Sequence, residues 1–287
     1  MREIYISTTF IKDKKSVLQA IKILRQLNIR NIEIGSNHCY EKSYNYLQNY
    51  KFNFFLHNYF PVPKKDFIIN IASLNKSLRN RSINQIKKSI KFAKLIKAKL
   101  YTFHPGFVTD PRGAKVNQKN YDFLWNKRKE INKKVENIAW HNMVNSLKKI
   151  IKYAKKKGVK ICIETEGSIN AKNHLLMHKP VEFKRFMELF NSDDIGVNLN
   201  LAHLKLASRA FKFSKSNFIN LIKKYIVAIE VSHNNSLNDD HKPLKQGGWY
   251  FKYLKMKNFE STPIILEFRN AKSKEIINSL KLLKNEI

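Results

Sequence analysis

Eight short apolar runs recur along the 287 residues, and most of them stop at a side chain able to bind metal or move protons. In order they are IYIS from Ile4, IEIG from Ile32, FFLH from Phe54, LYTFH from Leu100, ICIE from Ile161, IGVNLN from Ile195, AIEVSH from Ala228 and IILE from Ile264. Runs this short, rich in β-branched and aromatic residues, read as strands of a parallel sheet buried on both faces. The stretches between them carry apolar residues at spacings of three and four, as in Val17, Ile21, Ile23 and Leu24. Ile83, Ile86, Ile90, Ala93 and Ile96 repeat the pattern, as do Met143, Leu147, Ile150 and Ala154. Eight strands alternating with helices predict an α/β fold of the (β/α)8 TIM barrel type, one domain over residues 1–287.

A barrel of this kind gathers the carboxyl ends of all its strands on one rim, where active sites form. The residues at or just past those ends are His57, His104, Glu164, Asn200 with His203, His233, Asp239 with His241, and Glu267. Convergent imidazoles and carboxylates suit a divalent ion of hard to borderline character. The polar segment Ser232 to Gly248 reads as a functional loop over the rim, and TDPRG from Thr109 as a turn placing Asp110 and Arg112 near it. Isolated histidines such as His38, His141 and His178 read as surface or satisfied core residues.

Composition narrows the classes further. A hydrophobic share of 43% supports a large core, and two cysteines, Cys39 and Cys162, exclude a disulfide framework; Cys162 reads as a small core residue. The amino-terminal segment lacks a signal-peptide pattern, and no run approaches about 18 apolar residues, so a cytoplasmic location without membrane contact is expected. The net charge of +33 points formally to nucleic acid, yet lysine is spread over the whole chain with asparagine and isoleucine, as on solvated helix faces.

The segments HNYFPVP, NIASLNKSLRNRSINQIKKSI, FHPGF, IETEG, NLNLAH, SHNNSLNDDHKPL and ILEF together resemble the xylose-isomerase-like TIM barrels. That superfamily holds sugar and sugar-phosphate isomerases and epimerases, and also AP endonucleases of the endonuclease IV type. Carried over, the isomerase pattern implies one divalent ion (Mn, Mg, Co or Zn) on Glu164, Asn200, His233 and Glu267, with no organic cofactor. His203 matches a substrate-contacting position. Asn200 stands where the family has aspartate, so the expected affinity for metal falls or the preferred ion changes.

The resemblance further implies proton transfer by Glu164 and Glu267 on a small carbohydrate bearing a carbonyl, through a metal-stabilised enediolate. Arg269 and Lys242 are candidates for binding an anionic group of that substrate. A homodimer is compatible with this reading. The alternative is a zinc-dependent nuclease acting on DNA at abasic sites, whose nine-ligand, three-zinc pattern is matched at His57, His104, Glu164, His203, His233, Asp239, His241 and Glu267. Against it, YISTT at Tyr5 and IEIGSN at Ile32 look unlike the nucleases. A barrel that has lost catalysis and only binds a ligand is the third class.

Overall fold

All eight apolar runs form strands of one closed parallel barrel. The computed structural model describes residues 2–111, 113–117, 120–125 and 131–287. The barrel strands are β1 (Ile4–Ser7), β2 (Asn31–Ile34), β3 (Asn53–His57), β4 (Leu100–Phe103), β7 (Ile161–Glu164), β8 (Gly196–Asn200), β9 (Ile226–Val231) and β10 (Ile264–Leu266). They close in the order β1-β10-β9-β8-β7-β4-β3-β2. A separate antiparallel hairpin, β5 (Gly113–Asn117) and β6 (Asn120–Leu124), rises after β4 and has no counterpart in the expected pattern.

The helices around the barrel are α1 (Val17–Gln26), α2 (Lys76–Leu95), α3 (Lys133–Lys157), α4 (Pro180–Leu189), α5 (Leu201–Phe211), α6 (Lys215–Ile222), the single turn α7 (Phe251–Leu254) and α8 (Ser273–Glu286). Their starts follow side-chain chemistry: Ser16, Asn75, Asn132, Asn200 and Ser214 each accept a backbone N–H of the first turn. Gly158, at φ 65°, ends α3 in the left-handed conformation that favours glycine. Only a 3₁₀ turn at Asn45–Asn49 fills the connection between β2 and β3. Among the described residues, no helix is long and apolar enough to cross a membrane.

Strand alternation sorts the barrel's residues into two populations. One parity faces the helices and joins the main core, including Ile6, Ile32, Leu56, Phe103, Ile163, Leu199, Val231 and Leu266. The other parity fills the interior. Its lower layer is a small apolar cluster of Tyr5, Phe55, Leu100, Cys162, Ala228 and Ile265, with Tyr5 and Phe55 stacked at 3.8 Å. Two residues further along the strands the same parity turns polar: Ser7, Glu33, His57, Thr102, Glu164, Asn198, Asn200, Glu230 and Glu267, all buried. An apolar plug thus supports a charged layer at the carboxyl end, which positions everything that follows.

Candidate active site

Glu164 ends β7 and is the hub of the charged layer. Its Oε2 lies 3.0 Å from His57 Nε2 and its Oε1 lies 3.1 Å from His203 Nδ1. His104 Nδ1 sits 3.7 Å from Glu164 and 2.6 Å from Glu166 Oε1, the second carboxylate of the Glu-Thr-Glu sequence. Across the rim, Asp239 Oδ2 meets His203 Nε2 at 3.2 Å and His241 Nε2 at 2.6 Å, while His241 Nδ1 lies 2.7 Å from Glu267 Oε2. Chains of alternating carboxylate and imidazole therefore run from β3 and β4 to β10. They line a cavity of about 520 Å³, walled by Tyr59, Phe67, Phe107, Leu206 and Leu237.

The electrostatics follow from burial opposed by partners. Burial works against a charge on Glu164, yet His104 and hydrogen bonds from His203 and His57 hold its carboxyl well below the usual range. Glu267 is held below it in the same way, chiefly by His241. Burial also works against the imidazolium of His57, but Glu33 and Glu164 carry it to about 9. Glu33 itself is pushed up to about 7, and Glu230 well above its ordinary value, by burial and, for Glu230, by the charges of Glu164 and Glu267. Ionised carboxylates thus border the cavity, Glu230 beneath them holds a proton, and Glu33 shares its charge with His57.

Of the residues read from sequence, His57, His104, Glu164, His203, Asp239, His241, Glu267 and Arg269 all line this cavity. Asn200 lies below Glu164 with its amide between two carboxylates. His233 stands apart: its ring packs edge-on near Tyr250 at 6.1 Å, and its backbone pairs with Lys242. Burial, with Lys245, Lys205 and Lys242 nearby, lowers its pKa. The two-residue period explains this, because β9 turns Ala228 and Glu230 inward and leaves His233 on the opposite parity. Lys242 is largely exposed beside Asp240 at 3.7 Å.

Asp110 is tied down by Asn70 Nδ2 at 2.7 Å and Ser73 Oγ at 2.8 Å, which makes it a loop anchor; Arg112 lies outside the described residues. His38 is buried with Thr8 Oγ1 at 2.8 Å and His141 is exposed. Sequence reading passes over Glu33, Glu166 and Glu230. The alternation in ETE after Glu164 is a signal that marks Glu166, whereas IEIG and AIEV alone do not fix which way Glu33 and Glu230 turn.

Two groups of side chains could each hold an ion: His57 with His104 and Glu164, and His203 with Asp239 and His241. Within each, the ligand atoms lie within 4.8 Å of one another. Among the described residues, the buried atoms without a hydrogen-bond partner include His57 Nδ1 and Asp239 Oδ1 in these groups, as atoms awaiting a ligand are, and also His233 Nδ1 away from them. Nitrogen and oxygen donors in these numbers fit a divalent cation.

The family described as xylose isomerase-like TIM barrel matches residues 18–286. The chain belongs to that family. It is 26% identical over 281 residues to apurinic-apyrimidinic endonuclease 1 of Plasmodium falciparum, an alignment covering 91% of this chain but 39% of that protein, so the chain spans well under half of this relative's length. Among solved structures of this fold, a D-tagatose 3-epimerase-like protein superposes with a TM-score of 0.73 at 17% identity, covering 99% of this chain and 96% of the other. The D-psicose 3-epimerase of Clostridium cellulolyticum H10 gives 0.63 at 13%, covering 99% and 95%. At such identities the likeness is one of fold.

Proposed function

We propose that this family member is an isomerase or epimerase of a sugar or sugar derivative, moving a proton at a carbon next to a carbonyl. The observation that carries the reading is the cavity itself. Its volume of about 520 Å³ suits a small molecule, and its lining sets the carboxylates of Asp13, Asp66, Glu164, Glu166, Asp239 and Glu267 against the imidazoles of His57, His104, His203 and His241, with Lys14 and Arg269. A polyhydroxylated substrate of that size finds hydrogen-bond donors and acceptors on every side.

Glu164 and Glu267 are the acid and base pair. They enter the cavity from β7 and β10, strands separated on the circumference by β8 and β9, so they reach a bound carbon from different sides. Both are held ionised by their imidazole partners, so one takes the carbon's proton directly. The other returns a proton that it first receives from its imidazolium partner, His203 beside Glu164 or His241 beside Glu267. Glu230, buried underneath, keeps a proton and limits the negative charge of the floor. A divalent ion held by His57, His104 and Glu164, or by His203, Asp239 and His241, supplies when bound a Lewis-acidic charge for a developing oxyanion. His203 and Arg269 orient the substrate, Arg269 meeting an anionic group.

Phosphoester hydrolysis is the second reading, favoured by the pair of three-residue donor groups and by the endonuclease relative. Incubation of the metal-supplemented protein with a panel of ketoses and ketose phosphates, alongside an oligonucleotide duplex bearing an abasic site, separates the two. The proposal expects conversion of a ketose and an intact duplex; incision of the duplex with every ketose untouched would transfer the site to the hydrolase reading.

A further inference from the structure

Beneath the cavity lining, Asn200 ends β8 and caps α5. Its Oδ1 accepts the His203 N–H at 3.1 Å, which decides the orientation of the amide. The Nδ2 end therefore faces two carboxylates, 2.9 Å from Glu164 Oε1 and 2.6 Å from Glu230 Oε1. Glu230's other oxygen accepts from Asn198 Nδ2 at 2.9 Å. An amide nitrogen has two hydrogens and no lone pair to give, so both of its donors are spent on these carboxylates.

A cation there would need an oxygen at about 2.0–2.2 Å in place of that nitrogen. Turning the amide over would supply one. It would also leave the His203 N–H facing an NH2 group and remove the cap of α5, at a cost of roughly 1–3 kcal/mol. The four positions that the family pattern assigns to one ion, Glu164, Asn200, His233 and Glu267, thus do not fit it in this chain: Asn200 presents hydrogens, and His233 is not among the residues that line the cavity.

We propose that the Asn200 amide takes the place of a cation between Glu164 and Glu230, so that this centre is cation-free and divalent ions are confined to the two flanking histidine groups. Asn200 is then a positioning residue. It pins the Glu164 carboxylate from below while leaving its negative charge in place, which a divalent ion at that point would cancel. The arrangement goes beyond the proposed reaction and holds whichever substrate the cavity takes.

Crystals of the full chain grown with zinc, measured at the zinc absorption edge, test this without any turnover. Anomalous peaks are expected at His57–His104–Glu164 and His203–Asp239–His241, with none within bonding distance of Asn200 or Glu230. A peak coordinated by either residue overturns the proposal, as does the absence of peaks at both flanking groups. Elemental analysis of zinc per chain gives a second reading, comparing the natural sequence with Asn200→Asp and with the Asn200→Asp/Glu230→His double variant. The double variant keeps the number of acidic side chains constant and puts an imidazole, a zinc ligand, in place of Glu230. One additional zinc ion in either variant is expected; equal zinc in the natural protein and in both variants contradicts the proposal.

Discussion

Glu164 shows how much one side chain can be made to do by its neighbours. Two imidazoles and an amide approach its oxygens within 3.1 Å, and with 1% of its surface exposed it has no water to share the charge with. His57, on one side, is the residue where protons and metal compete most directly. Because Glu33 and Glu164 carry it to about 9 against the effect of burial, the ring is an imidazolium at neutral pH and an ion must displace its proton. Zinc affinity at this group is therefore expected to rise by about tenfold per pH unit between roughly pH 7 and 9, and to level off above. Titration calorimetry across that range checks it; a flat profile means that His57 does not bind the ion.

The sign for stability runs the same way. With a folded pKa above its unfolded value near 6.5, metal-free His57 contributes stability that is fully present below about pH 6.5 and is lost as pH rises through about 9. Thermal unfolding of chelator-treated protein is expected to show a falling midpoint over that interval, with zinc restoring it. His57, Glu164 and Glu267 are legible in the amino-acid sequence because each sits at the visible end of an apolar run. Glu33 and Glu230 are not, since nothing in a run such as IEIG distinguishes a carboxylate turned into the barrel from one turned out until the strand's parity is fixed by its neighbours. The same ambiguity makes His233 look like a member of the site.

Elements place these residues through close backbone approach as much as through side chains. Gly167 follows the Glu-Thr-Glu end of β7 and passes against the first turn of α5: a Cβ there would lie 1.9 Å from the His203 carbonyl oxygen. Gly167→Ala must push α5 away from β7, moving His203 off Glu164 and Asp239. We expect a loss of about 1–3 kcal/mol in stability together with weaker zinc binding. Gly158→Ala offers the contrast, because nothing lies within 4 Å of its Cβ and only the φ of +65° is strained. About 1 kcal/mol is lost there with zinc affinity unchanged. Denaturant unfolding and calorimetry on the two variants separate the site from the fold, and identical zinc affinities in both would contradict the coupling of Gly167 to His203. The eight strands and the long helices are readable from periodicity because buried parallel strands and amphipathic helices have distinct spacings. The β5–β6 hairpin is not, for its residues follow a proline-glycine turn without a strand-like apolar run.

At the scale of the whole molecule, most of the positive charge lies away from the cavity. The net charge of +33 is carried largely on outward helix faces, with Lys88, Lys91 and Lys94 on α2 and Lys148, Lys149, Lys152, Lys155 and Lys156 on α3 exposed, while the cavity lining interleaves carboxylates with imidazoles. Nonspecific attraction to polyanions follows from such a surface, and selectivity for a DNA lesion does not. Binding to duplex DNA is expected to weaken by orders of magnitude on raising salt from about 50 to 200 mM, and equally for intact and abasic duplexes. Fluorescence anisotropy with the two duplexes reads this, and a marked preference for the abasic one would count against the sugar reading.

Proton transfer at a carbon beside a carbonyl is the central claim, and it leaves an isotopic trace. Ketoses incubated with the metal-supplemented protein in D2O and followed by NMR are expected to gain deuterium at that carbon, with the rate lowered at least about 100-fold by Glu267→Gln. Exchange that proceeds at an unchanged rate in the variant, or no exchange from any ketose in the natural protein, would contradict the account.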